Sequence, residues 1–209
     1  MTDTPQSGSD AVVLRDQALT AGRKNYFLVG PPCFDAERIA QLRKLIDDES
    51  VAAEVAEAGR ERETGSHYEE SRRTRVRSLE PVEHRWVYDI VTECFVGANQ
   101  FMRCDITPNM NDAIQLLRYD AGERGHFRWH SDTLPSDMTR KISIVVPLSE
   151  EAEYEGGELQ FNQGGTLHSV AQVPGRPVAF PSWLIHQITP VTRGQRYSLV
   201  AWIRGPNWR

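Results

Sequence analysis

From Asp112 onward, glycine and proline divide the chain into apolar runs of strand length: AIQLLRYD, KISIVVPL, GELQF, HSVAQV, PVAF and RYSLVAWIR. These runs are rich in β-branched and aromatic residues, and no helical period joins them. Runs this short cannot bury an apolar face alone, so they must pair into antiparallel sheets that then pack on other layers. As a strand, RYSLVAWIR places Arg196, Ser198, Val200, Trp202 and Arg204 on one face and Tyr197, Leu199, Ala201 and Ile203 on the other. The expected class is α+β, mainly β, with a sandwich or jelly-roll barrel as its core.

Helices precede the strands. Phe34, Ile39, Leu42, Leu45 and Ile46 recur at helical intervals, and Asp35 is placed to start the first turn. Trp86, Val87, Ile90, Val91, Phe95 and Val96 predict a second helix over residues 83–101. Both helices have an apolar stripe with which to cover a sheet. Between them, residues 63–81 (ETGSHYEESRRTRVRSLEP) are highly charged and carry no apolar period until VRSL. This segment reads as a solvated loop leading into a strand, or as a loop that covers a substrate.

At 209 residues with 39% hydrophobic content, the chain fits one domain over residues 11–209, preceded by a polar tail over residues 1–10 expected to be disordered. A net charge of -5 argues against nucleic acid as a partner. Cys33, Cys94 and Cys104 follow no disulfide or zinc-ribbon spacing. No leader or membrane-spanning run is evident, so a cytoplasmic protein without a membrane partner is expected.

The stretch HFRWHSD, residues 126–132, is dense in metal-ligating side chains. On a helix His126 and His130 would share a face, but Gly122, Gly125 and Pro135 leave little room for one, and the glutamate of a zinc-protease helix is absent. On a strand, His130 and Asp132 project from one side roughly 7 Å apart, with His126 about 13 Å from His130. His130 and Asp132 are therefore the expected ligands.

A third ligand is sought among the other histidines. His67 and His84 lie in polar settings, and His168 follows a glycine pair. His186, in the apolar run PSWLIHQITPV, is the one whose burial calls for a role, although a satisfied core histidine would look the same. Two histidines and one carboxylate leave adjacent coordination positions open, as in non-heme Fe(II) oxygenases, whereas a structural zinc site is closed by four ligands. Ten residues beyond His186 stands Arg196. If its strand face is buried, the guanidinium needs an anion, and its planar fork suits a carboxylate.

In Y119-D-A-G, H130-S-D132, R140-K-I-S, G156-G-E-L, H186-Q-I-T-P-V-T-R-G-Q-R196-Y-S and Trp202, the chain resembles the Fe(II)- and 2-oxoglutarate-dependent dioxygenases, in their prolyl-4-hydroxylase-like branch. The likeness runs over residues 112–204, and the PKHD-type hydroxylases look closest through GGEL and PVTRGQR. It implies a double-stranded β-helix (jelly-roll) core with N-terminal supporting helices. It also implies Fe(II) on His130, Asp132 and His186, and 2-oxoglutarate held by Arg196 with Tyr119 and Ser198. Trp202 would line the site; Arg128 and His126, beside the metal-binding strand residues, are further candidate substrate contacts on position alone, since loops flanking such a strand often line the pocket. O2 would be consumed, ascorbate is a candidate reductant, and succinate and CO2 would be released as a C–H bond is hydroxylated. Pro147 stands where some relatives place another cosubstrate-binding tyrosine, so the tail of 2-oxoglutarate is expected to be held differently. The implied substrate is an amino-acyl residue in a protein or peptide. A small-molecule hydroxylase of the same mechanism, and a non-catalytic cupin-like protein that binds a metal or organic acid, are the other readings of these residues.

Overall fold

The computed structural model describes residues 26–48, 71–107, 109–110, 112–133 and 138–206. The expected tail at residues 1–10, and residues 63–70 of the charged segment, lie outside the described residues. The helical intervals read from the sequence give α1 (Ala36–Asp47) and α2 (Arg85–Phe101). Asp35 caps α1 by accepting a hydrogen bond from the Arg38 amide at 2.9 Å, which satisfies one of the unpaired N–H groups of the first turn.

The strands form two sheets. The first strands are β1 (Leu28–Val29), β2 (Arg72–Arg73), β3 (Arg75–Leu79), β4 (Ile114–Asp120), β5 (His126–His130) and β6 (Arg140–Pro147). They are followed by β7 (Tyr154–Gly156), β8 (Leu159–Gln163), β9 (Thr166–Val170), β10 (Val178–Pro181), β11 (His186–Ile188) and β12 (Val191–Arg204). The larger sheet has the order β1-β10-β6-β12-β4-β3, with β7 pairing the first part of β12. The smaller is β2-β5-β11-β8-β9. Every pairing between described strands is antiparallel. The two-layer antiparallel arrangement is the jelly-roll core expected from the short runs.

Alternation along the central strands separates two apolar layers. Leu116, Ile142, Ile144, Val146, Leu199, Ala201 and Ile203 pack against Leu42, Ile46, Val87, Val91, Phe95 and Ala98 of the two helices. Leu117, Tyr119, Val145 and Val200 point the other way, to meet Leu159, Phe161 and Ile188 of the smaller sheet. The larger sheet is thus buried on both sides, and polar residues facing the second layer are trapped between the sheets.

The charged segment contributes more structure than a solvated loop leading into one strand. Its described part forms β2 and β3, which edge the smaller and the larger sheet respectively, so Thr74 joins the two layers. Among the described residues no helix is long and apolar enough to cross a membrane.

Phe95 is fully buried between α2 and the larger sheet. Phe95→Ala should lower the free energy of unfolding by about 3–5 kcal/mol, through lost transfer energy and the cavity left behind. Urea denaturation would show this as a lower midpoint at unchanged slope; a loss below about 1 kcal/mol would mean that this helix does not pack as described.

Candidate active site

His130 closes β5 and His186 opens β11, and the two are Cα partners across the smaller sheet. The next paired residues are Phe127 and Ile188, so β5 uses one residue more than β11 between the two pairs. That bulge brings Phe127 and His130, which a regular strand would turn to opposite faces, onto the same side. Their rings stack at 3.5 Å with planes 14° apart. His130 and His186 approach each other with ring centroids 4.1 Å apart.

Both imidazoles are fixed in the same way. Nδ1 of His130 hydrogen-bonds the Arg128 carbonyl at 2.7 Å, and Nδ1 of His186 the Leu184 carbonyl at 2.9 Å. A carbonyl only accepts, so the proton of each neutral ring sits on Nδ1 and the lone pair is on Nε2. Asp132, just beyond β5, donates its backbone N–H to the Ser182 carbonyl at 2.9 Å. This places its carboxylate 3.6 Å from Nε2 of His130 and 3.7 Å from Nε2 of His186.

The three ligand atoms all lie within 4.8 Å of one another. Atoms that bind one ion at about 2.1 Å and at right angles are roughly 3 Å apart. The donor set therefore fits one divalent ion after a small closure, and its nitrogen and oxygen donors suit iron. Burial pushes the His186 imidazole down to about 4, against the attraction of Asp132. Asp132, despite its own burial, is held well below the usual carboxylate range by His186, His130 and the Ser143 hydroxyl. At neutral pH the His186–Asp132 pair is already in its metal-binding form, one neutral imidazole and one carboxylate.

From the facing, larger sheet, alternation in β12 directs Arg196, 1% exposed, into the space between the sheets. It lies opposite Tyr119 of β4, with its guanidinium 5.3 Å from that ring. Nη1 donates to the Ser198 hydroxyl at 3.1 Å and Nη2 to the Gln172 side-chain oxygen at 2.8 Å, while the buried Nε has no partner among the described residues. A buried guanidinium held only by neutral groups, with a donor unspent, is a site prepared for an anion. Gly156 and Gly157 both adopt positive φ, 72° and 61°. A Cβ on Gly157 would come within 2.8 Å of Arg196 Cδ, so the GGEL turn is what gives the arginine room. Arg72, Phe127, Ser143, Arg196, Ser198 and Trp202 line one cavity together with the His-Asp-His cluster.

Residues 114–204, which hold this whole cluster, match the family model described as the 2OG-Fe(II) oxygenase superfamily. Through these residues, just under half of its length, the chain resembles that superfamily. A PKHD-type hydroxylase of Nitrosomonas europaea is 36% identical over 100 residues, covering 43% of this chain and 44% of that protein. The chain thus spans about half the length of the curated relatives it matches. Two solved structures show the same fold. A viral collagen prolyl hydroxylase from Paramecium Bursaria Chlorella virus-1, in complex with 2OG, has a TM-score of 0.64 at 18% identity, over 87% of this chain and 97% of that one. A Trichoplax adhaerens prolyl hydroxylase, bound to a hypoxia inducible factor peptide fragment, also has a TM-score of 0.64, at 12% identity over 87% and 84% of the two chains.

Within this fold His130, Asp132, His186, Arg196, Tyr119, Ser198 and Trp202 all border the same cavity. Arg128 and His126 are placed elsewhere: Arg128 is exposed, and neither is among the residues lining the cavity. The bulge is the reason, because it turns Phe127 inward in place of its neighbours. Phe127, Arg72, Ser143 and Gln172 escape a reading of the sequence. Only the alternation of β6, which sets Ser143 opposite in direction to Ile142 and Ile144, could have drawn attention to one of them.

Ser143 donates to Asp132 Oδ2 at 2.6 Å and is itself 3.0 Å from the Ser182 hydroxyl. Ser143→Ala should weaken Co(II) or Mn(II) binding by roughly 10- to 100-fold, as read by calorimetry, because an oriented ligand becomes free to turn. Unchanged affinity would show that Asp132 needs no such support. A second expectation concerns pH. With the His186 imidazole lowered from 6.5 to about 4 by folding, the unfolded chain binds more protons in that window, so metal-free stability should fall as pH drops through it. The loss is of order 3 kcal/mol, and it should be smaller in His186→Gln; equal slopes in urea denaturation series for the two proteins would refute it.

Proposed function

We propose that the protein is an Fe(II)- and 2-oxoglutarate-dependent hydroxylase acting on an unactivated C–H bond of an amino-acyl residue in a protein or peptide. The observation that carries this reading is the coexistence, in one cavity, of an open three-ligand cluster and a buried guanidinium with no carboxylate partner among the described residues. A cupin-like store for a metal alone would have no use for that buried cation. PKHD-type and prolyl hydroxylase relatives support the reaction class, and the peptide bound to the Trichoplax adhaerens protein supports the substrate class.

In this reading His130, Asp132 and His186 hold the ion through two Nε2 atoms and a carboxylate oxygen. When bound, Fe(II) with 2-oxoglutarate and O2 supplies the oxidising chemistry, in which the keto acid becomes succinate and CO2 and one oxygen atom enters a substrate C–H bond. The chain's own part is orientation and exclusion of water. Arg196 offers Nε and its fork to the distal carboxylate of 2-oxoglutarate, steadied by Ser198, with Tyr119 forming the floor beneath. Leu117, Val145, Leu159, Ile188 and Val200 keep that end apolar, so the charge pair is strong where water is scarce. Trp202, held by the Arg140 guanidinium 4.0 Å from its ring, forms part of the wall. Ascorbate would serve to keep the iron reduced.

Succinate release from 2-oxoglutarate with added Fe(II) tests the reading. His130→Ala should abolish it. Arg196→Met should raise the KM for 2-oxoglutarate by roughly 100-fold, the loss expected for a desolvated, charge-assisted contact. Succinate formation that persists in His130→Ala would overturn the assignment.

A further inference from the structure

A second guanidinium borders the same cavity. Arg72 on β2 pairs with Phe127 of β5, and this register turns it inward while Arg73 is left exposed. Its guanidinium lies over the Phe127 ring at 4.9 Å, and that ring in turn stacks on His130. A guanidinium resting on an aromatic ring uses its face and leaves its in-plane N–H groups unspent. Nε of Arg72 is buried without a hydrogen-bond partner, and among the described residues no carboxylate meets the group.

Charge balance shows what is missing. If the proposed function holds, Fe(II) and Arg196 bring three positive charges to the cavity, and Asp132 with 2-oxoglutarate brings three negative ones. Among the described residues, the resident charges then cancel without Arg72. A partly buried cation left over beside the reacting centre is costly unless something anionic arrives with the substrate. We propose that Arg72 is the substrate-recognition residue for a carboxylate, and that the amino-acyl substrate presents this carboxylate close to the carbon that is oxidised. The carboxylate belongs either to the α-carboxyl of a free or C-terminal residue or to an acidic side chain of the residue itself or its neighbour. Arg196 serves the cosubstrate and Arg72 the substrate, on separate walls: β12 of the larger sheet and β2 at the edge of the smaller.

This inference rests on the proposed hydroxylase reading, and two measurements separate their failures. The first needs no turnover. In metal-free protein with arginine side chains labelled with nitrogen-15, the Nε resonance assigned by its loss in Arg72→Gln should shift on titration with N-acetyl-L-proline or N-acetyl-L-glutamate. It should not shift with N-acetyl-L-prolinamide. Equal shifts with acid and amide, or none with either acid, overturn the proposal. The second follows products by mass spectrometry, using free amino acids and a proteolytic peptide pool, each offered with its carboxyl groups free or amidated. A gain of one oxygen is expected on the free-carboxyl pools. Amidation of C-termini alone, or of all carboxyl groups, distinguishes the α-carboxyl from the acidic side chain. Arg72→Gln should raise the KM for the oxidised compound by roughly 10- to 100-fold and that for 2-oxoglutarate by less than about threefold. Oxidation that survives full amidation overturns the inference, as does a KM for 2-oxoglutarate that rises as much as that for substrate, or succinate formation without oxidation in any free-carboxyl pool. Failure of the wild type to form succinate would instead strike the hydroxylase reading.

Discussion

The antiparallel pairing of His130 with His186, and the bulge that follows it, is the contact on which the site depends. Cross-strand partners share a face, so one backbone register carries two imidazoles into the space between the sheets. Each ring is then held by a carbonyl from two residues earlier in its own chain segment, which selects the tautomer as well as the direction. Asp132 arrives by a further backbone hydrogen bond to Ser182. Much of the geometry of the ligand set is therefore stored in main-chain hydrogen bonds, which survive side-chain substitution better than contacts between flexible groups do.

Around this cluster the protein solves an electrostatic problem. Polar side chains lie between two apolar layers, where unpaired groups are expensive. Ser143, Ser182 and Asp132 satisfy one another within a short network. Arg196 and Arg72 do not reach that state, since each keeps a buried Nε without a partner among the described residues. Among the described residues the other buried side-chain polar atoms without a partner, on Asn99, Gln115 and Gln163, are neutral amides, whereas these two are cationic and both fall in one cavity. Among the described residues no carboxylate answers either cation, which is the arrangement expected of a cavity that receives anionic ligands.

The same physics explains what could be read from the chain and what could not. The long strands β4, β6 and β12 and the two helices were legible because each repeats a period over enough residues to mark a face, and Asp35 and the glycines of GGEL marked ends and turns. The pairs β1 and β2 and the three-residue β7 carry no period at all. They exist because a neighbouring edge offers hydrogen bonds. Arg72 was invisible for that reason: in SRRTRVRS every arginine looks solvated until a register turns one of them inward.

By itself the sequence determined the antiparallel β class, the faces of its longer strands, and the residue types able to bind a metal and a carboxylate, all of which follow from local periodicity and donor chemistry. Only the tertiary structure decided that Phe127 replaces His126 and Arg128 at the cavity wall, that Ser143 orients Asp132, and that a second arginine enters the site. Those outcomes depend on a bulge and on pairing between strands distant in the chain, and no local pattern encodes either one.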